Sequence, residues 1–362
     1  MKKRIIGIAF ALCALCLVLL PACAQDRDAS TEGATTFTEG ADTAIEVTGY
    51  THLNSTHPDY FLQEGDKVAV ISPSALPSRE QVDATVEGLK KWGYTPVEGK
   101  YAYAEERTLD ECKEDLVWAL EDSSIKAIYC VRGGYAANEV MDVMSLDAIR
   151  SANKPIIGYS DITIYHSAWT VVGLPSIHSS MSATFMDLPE ECADVQRRLM
   201  QGEVPSYSCA ANEYCKPGTA EGVLIGGNLS TLTATLNTAY DCTQAKEPYI
   251  LFLEDVEEDM QHMHRYLTIL RNFGVLDGAA GIVFGEWADT PADYGDYDGI
   301  ARGGKFASLA DMIDRQFLQD VDVPVAFGFP AGHADVNYPL LMGETARLDV
   351  GDDAFALEWS AR

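Results

Sequence analysis

The chain has 362 residues, 47% of them hydrophobic, and its 55 acidic residues against 26 basic ones give a formal net charge of -29. A surplus of that sign repels phosphate backbones, so nucleic acid is excluded as a partner, and the length admits one large or two ordinary domains with real cores. Acidic residues are spread along the chain rather than massed in one block, which reads as a solvated surface.

Lys2, Lys3 and Arg4 precede an apolar stretch from Ile5 to Leu20, which falls short of the roughly 20 residues that span a bilayer. The pattern predicts an export signal over residues 1–23. It closes on Leu20-Pro21-Ala22-Cys23, similar to the bacterial lipobox, with Cys23 as the acylated mature N-terminus. Pro21 is unusual in that slot, and an ordinary secretory cleavage near Ala22 or Ala24 is the alternative. With diacylglycerol and N-acyl chains on Cys23 the anchor is stable, since one chain alone binds only marginally. The expected location is extracytoplasmic, on a bacterial cell membrane or in a periplasm. Removing the signal leaves 23 basic residues against 55 acidic. Residues 24–58 are dominated by Thr, Ala, Glu, Gly and Asp, the composition of a disordered acidic tether.

Beyond the tether, Lys67 to Ser72 is a short apolar strand, and Val82, Val86, Leu89 and Trp92 carry helical spacing up to Gly93. Further strands are predicted over Tyr94 to Val97, Ala127 to Val131 and Ile156 to Gly158, with helices over about 109–120, 138–144 and 162–171. Strands alternating with helices predict a parallel sheet covered on both faces, whose site lies beyond the carboxyl ends of the strands. Periodicity fades over 188–218, read as a linker between an α/β domain (59–187) and a C-terminal domain (219–362). There, strands are predicted at 222–225, 249–253, 281–284 and 324–327, helices at 263–273 and 309–317, and a hairpin over 346–359.

Three turns fall at strand carboxyl ends: Ser72-Pro73-Ser74, Arg132-Gly133-Gly134-Tyr135 and Gly158-Tyr159-Ser160-Asp161. In KPIIGYSDITI a buried strand breaks at Gly158, which can take strained angles, so that Ser160 projects at the strand end. The N-H of Asp161 then faces any oxyanion formed there, helped by the positive end of the following helix. The same turn also serves as a plain helix cap. A serine nucleophile needs a base and an orienting carboxylate. Of the seven histidines, His52 and His57 belong to the tether region or its end, while His166 and His178 suit satisfied structural roles. His262 and His264 are two apart on one helix, which opposes a metal pair. His333 lies in a Gly-rich loop past a strand, and Glu254 directly follows an apolar run, so the order reads Ser160, Glu254, His333. Cys112, Cys130, Cys192, Cys209, Cys215 and Cys242 form no C-x-x-C pair, so neither zinc nor a redox motif is supported, although export permits bridging, with Cys209 and Cys215 the nearest pair. Asp289, Asp293, Asp296 and Asp298 do not match an EF-hand loop and read as a solvated rim rather than a calcium site. No cofactor and no metal are expected.

Six ordered segments, CVRGGYAANEV, KPIIGYSDIT, GVLIGGNLS, LFLEDVEED, GIVFGEW and VPVAFGFPAGH, resemble the LD-carboxypeptidase family of serine peptidases, which includes muramoyltetrapeptide carboxypeptidases and microcin-immunity peptidases. The resemblance covers about residues 60–350. It implies an N-terminal α/β domain with a parallel sheet, a C-terminal domain with a β-barrel-like sheet, and an active site between them. By motif it implies a triad of Ser160, Glu254 and His333, with backbone N-H groups of Gly133, Gly134 and Asp161 as the oxyanion hole. The chain departs from the family at Ala136, where glycine is usual; alanine there is costly only if the position needs a positive φ. A carboxypeptidase must also hold a free carboxylate, for which Arg132 and Tyr135 are candidates, against a structural ion pair for Arg132.

The expected function is hydrolysis of an L,D-amide bond, releasing a C-terminal D-alanine from peptidoglycan tetrapeptides. The partners are then that peptide and a lipid bilayer, and a homodimer is compatible with the sequence. One alternative keeps the triad for a peptide-nucleotide antibiotic, as in the immunity branch. Another, a solute-binding lipoprotein, gives no reason for the three side chains to converge.

Overall fold

The computed structural model describes residues 45–52, 60–182, 188–290 and 306–359. In chain order its strands are β1 (Ile45–His52), β2 (Lys67–Ile71), β3 (Thr95–Glu98), β4 (Ile125–Cys130), β5 (Ile156–Gly158), β6 (Ser176–His178), β7 (Glu203–Ala210) and β8 (Gly218–Asn228). They continue as β9 (Tyr249–Val256), β10 (Gly281–Ala288), β11 (Val325–Phe327), β12 (Leu340–Met342), β13 (Thr345–Val350) and β14 (Ala354–Trp359). They form a six-stranded sheet in the order β12-β6-β5-β4-β2-β3 and an eight-stranded sheet in the order β1-β7-β14-β13-β8-β9-β10-β11.

The first sheet is parallel except for β12. Its inner strands are mainly apolar because both faces are covered, and successive residues alternate between two cores. Val68, Val70, Ala127 and Tyr129 pack with Val82 and Leu89 of helix Arg79–Lys91. Ala69, Ile71, Ile128 and Cys130 face the opposite way, against Leu116 and Ala119 of helix Leu109–Glu121 and Trp169 of helix Thr163–Val171. Capping boxes at Ser78 and Thr108 fix where the first two of these helices begin.

In the second sheet β8 to β11 are parallel and the remaining pairs antiparallel. A bridge from Lys216 to Val325 brings the segment just before β8 round to β11, curling this part of the sheet back on itself in the barrel-like manner expected. Ile250 and Phe252 point into the core shared with the first sheet, whereas Leu251 and Leu253 pack under helix Met260–Asn272.

Three stretches differ from the sequence reading. Residues 45–52, assigned to the tether, form β1, an edge strand antiparallel to β7, and Tyr50 lies beneath the Arg198 guanidinium at 3.4 Å. The presumed linker 188–218 contains helix Glu190–Met200, whose Cys192, Val195 and Leu199 join the first core, and β7 of the second sheet. Lastly β12, far down the chain, pairs with β6 and so completes the N-terminal sheet. The export signal with Cys23, and Asp293, Asp296 and Asp298, lie outside the described residues. Among the described residues no helix is long and apolar enough to cross a membrane.

Candidate active site

β5 lies inside the first sheet, between β4 and β6, so its carboxyl end opens into the crevice beyond the strands. Ser160 follows it at φ 63, in the left-handed region, and begins one 3-10 turn (Ser160–Ile162) that leads into helix Thr163–Val171. For a residue with a side chain this conformation costs about 1 kcal/mol or more, strain of the kind that collects at functional turns. Gly158 itself stands at φ 159, and the serine carries a positive φ of its own. Gly158 also matters for space, since a Cβ there meets Ile162 Cγ1 at 2.9 Å and Met181 Sδ at 3.0 Å.

The glycine turn after β4 lies against this serine. A Cβ on Gly133 would stand 2.8 Å from Ser160 Cβ and 3.2 Å from the Asp161 nitrogen. The turn is fixed by Ala75 N-H donating to the Gly133 carbonyl at 3.2 Å, and Gly134 sits at φ 113. Ala136, at φ 133, occupies a conformation suited to glycine. The Asp161 carboxylate, singled out from the sequence only for its backbone, ties three segments together: it accepts from Ser74 Oγ and, at 2.9 Å, from Ala137 N-H. Burial raises its pKa, opposed by those hydrogen bonds.

Glu254 is wholly buried within β9, and its Oε2 accepts from His333 Nδ1 at 2.7 Å. The loop carrying His333 approaches this closely because Gly332, at φ 139, has no Cβ, which would fall 2.9 Å from Glu254 Oε2. The loop is braced on the first sheet: Gly332 N-H donates to Asn337 Oδ1, and Asn337 Nδ2 donates to Ser180 Oγ, both at 3.1 Å. The imidazole packs on Tyr159, the residue before Ser160, with ring centroids 4.7 Å apart. No hydrogen bond joins Ser160 to His333 among the described residues; hydrogen bonds between catalytic groups are often long or poorly aligned until substrate is bound. With its proton committed to Glu254 on Nδ1, the ring keeps Nε2 bare, as a general base requires. Burial alone would push the Glu254 carboxyl up, but the His333 charge, with His178 beside it, brings it down to about 2. Burial opposes protonation of His333, and Glu254 overcomes it, so the imidazole holds its proton more tightly than an ordinary histidine.

The two sheets interlock beside this cluster. Gly227 at φ 130 leaves room for Thr163, whose Oγ1 accepts from Asn228 N-H at 2.9 Å. Asn228 Nδ2 in turn donates to Asp255 at 2.7 Å, and burial together with the neighbouring Glu254 raises that carboxyl to about 6.

Arg132 is exposed and donates from Nη1 to the Leu76 carbonyl at 2.9 Å, and Tyr135 is 71% exposed. His166 fits the structural role expected of it, with one nitrogen on Ser176 Oγ and the other on the Gly158 carbonyl. His178 does not: neither of its nitrogens has a hydrogen-bond partner among the described residues. The six cysteines of the folded part are free thiols. Among the described residues no three metal-binding side chains are grouped.

Known proteins resemble the chain over most of its length. Family models for the LD-carboxypeptidase N-terminal and C-terminal domains match residues 68–179 and 221–348. A relative in Streptomyces coelicolor, assigned as a carboxypeptidase by name only, is 30% identical over 308 residues, covering 82% of this chain and 94% of its own. The murein tetrapeptide carboxypeptidase of Pseudomonas aeruginosa is 27% identical, with 78% and 93% covered. Among solved structures, a muramoyltetrapeptide carboxypeptidase from Oxalobacter formigenes superposes with a TM-score of 0.69 at 22% identity, over 80% of this chain and 97% of that one.

Proposed function

The chain belongs to the LD-carboxypeptidase family of serine peptidases, and from that premise we propose that it removes the C-terminal D-alanine of peptidoglycan tetrapeptides by hydrolysing an L,D-amide bond. The observation that carries this reading is the His333–Glu254 pair at 2.7 Å, with its imidazole packed against the residue that precedes Ser160. Ser160 Oγ attacks the amide carbonyl while His333 Nε2 takes its proton. His333 then returns that proton to the leaving amine, and water enters by the reverse sequence. Glu254 keeps the ring oriented and stabilises its charged form. Backbone N-H groups of Asp161 and of the Gly133-Gly134 turn hold the oxyanion, and Arg132 and Tyr135, at the exposed edge of that turn, meet the terminal carboxylate of the peptide.

The murein peptide that the Pseudomonas relative is named for supports this substrate class. Membership of a peptidase family replaces the solute-binding alternative. The test is incubation of the chain with defined muropeptide tetrapeptides, read by mass as loss of one alanine. Ser160→Ala should lower the rate by about 10⁴-fold or more. Equal release by both forms would remove Ser160 from the chemistry.

We further place the enzyme outside the cytoplasmic membrane on a lipid attached to Cys23, a reading supported by the basic start, the short apolar stretch and the Leu20-Pro21-Ala22-Cys23 sequence. Labelled fatty acid should enter the wild-type chain and not Cys23→Ala; label in both would refute the anchor.

A further inference from the structure

Glu254 has a second imidazole beside its other oxygen. His178 ends β6, registered against Gly158 of β5 on one side and Leu340 of β12 on the other. Its side chain is fully buried, and its Nε2 lies 3.9 Å from Glu254 Oε1. Neither nitrogen of His178, nor Glu254 Oε1, has a hydrogen-bond partner among the described residues. Two unsatisfied polar atoms facing each other across a buried gap are unusual, because each forfeits the hydrogen bonds it made in water. The gap is too narrow for a bridging water to bond well to both sides and about 1 Å too wide for a direct bond. Closing it takes only a small rotation of the carboxylate or the ring.

Among the described residues, the surroundings of His178 supply no other partner. Its ring is enclosed by Phe252 at 5.2 Å and by Tyr159 and His166, each at 5.9 Å between centroids. His166 has spent both its nitrogens on Ser176 and Gly158. The polar atom that faces His178 is the free oxygen of the carboxylate whose other oxygen holds His333.

We propose that His178 is a positioning residue of this site: its Nε2-H donates to Glu254 Oε1 as His333 takes up the serine proton, so that the carboxylate is clamped between two imidazoles. A carboxylate held by one donor alone can turn about its last side-chain bond and tilt the attached imidazole on Tyr159; a second donor fixes its plane. No proton leaves His178, and it touches neither substrate nor the reacting atoms. The alternative is that His178 is aromatic filling between Phe252 and Tyr159. This inference rests on the peptidase reading above.

Two substitutions separate these roles. His178→Phe keeps the ring volume and removes the donor, whereas His178→Gln loses the ring and places an amide N-H close to where Nε2 stood. The positioning role predicts that His178→Phe lowers kcat by about 10- to 100-fold, the span for losing a hydrogen bond to a charged group, with KM unchanged, and that His178→Gln recovers most of the loss. If His178→Phe matches wild type, or outperforms His178→Gln, the residue is filling and the proposal falls. Where either variant fails to fold, NMR of the ¹⁵N-histidine-labelled intact chain decides. The clamp requires His178 in the Nε2-H tautomer, with a signal that moves on Glu254→Gln. An Nδ1-H tautomer, or a signal indifferent to Glu254, overturns it. Should wild type release no alanine from tetrapeptides, the peptidase reading fails, while the NMR result still tells whether the two side chains are paired.

Discussion

Ala136→Gly should stabilise the protein. Ala136 stands at φ 133 and ψ -5, a backbone conformation that glycine adopts freely and alanine does not. Holding a non-glycine residue in such a region costs about 1–3 kcal/mol. Glycine gives back about 0.4–1 kcal/mol through the greater freedom of the unfolded chain. Ala136 is half-buried, so its methyl contributes little packing, and its N-H survives the change. The net gain is then about 0.5–2 kcal/mol, which in a chain of this length raises Tm by about 1–5 °C. Calorimetric melts of the two forms measure it, and shifted denaturant midpoints with unchanged slopes would confirm the gain in stability. A lower Tm for the glycine form would refute the argument, because it would mean that the Cβ makes contacts worth more than the strain. Alanine release should be retained, since glycine at this place keeps the path of the Gly133-Gly134 turn.

Other consequences follow from the same geometry. Gly133→Ala would put a Cβ 2.8 Å from Ser160 Cβ and 3.0 Å from its hydroxyl oxygen, so it should displace the serine turn, lower Tm, and lower kcat by about 10²–10³-fold, the size of a lost oxyanion donor. Gly227→Ala would press on Thr163 where the two sheets interlock and impose φ 130 on a side chain, so it should destabilise by about 1–3 kcal/mol and reduce alanine release, as paired melts and rate assays will show. Because Glu254 raises the His333 pKa, kcat/KM should climb with pH through a midpoint above about 6.5, and Glu254→Gln should move that midpoint down. In stability the pair has opposite limits. His333, raised on folding, contributes fully below about 6.5 and loses that contribution as pH rises through its folded value. Glu254, lowered to about 2, contributes fully above about 4.3 and loses it as pH falls toward its folded value. Urea titrations at several pH values should show both losses for wild type and neither for Glu254→Gln.

Much of the fold was legible because the inner strands of the first sheet are short, mainly apolar runs next to turns: KVAVI and IKAIYC fit best in a sheet buried on both faces. The segments that escaped are those whose order comes from partners distant in sequence. β1 reads as tether in composition and becomes a strand only because β7 offers an edge and Arg198 a cation over Tyr50. The helix Glu190–Met200 has its apolar positions at Cys192, Val195 and Leu199, a stripe too thin to stand out among Glu, Asp and Arg. β12 is three residues long and owes its existence to β6.

The site divides along the same line. Ser160, Glu254 and His333 each stand at an abrupt end of an apolar strand or in the loop just after one, so the sequence marks them by local punctuation. What holds them carries no such mark. The Asp161 carboxylate is needed by Ser74 and Ala137, Asn337 by Ser180, and Gly227 by Thr163, and every one of these contacts crosses from one sheet or loop to another. Three of the devices that set the site's geometry are strained or unsatisfied: the φ 63 of Ser160, the φ 133 of Ala136 and the nitrogens of His178, which have no hydrogen-bond partner among the described residues. Local sequence rules describe what a residue prefers, so a position held against its preference cannot be read from them. The strain persists because β5 inside its sheet and the loop braced by Asn337 fix both sides of the crevice, which makes the packing of the two sheets, rather than any single motif, the feature on which the chemistry depends.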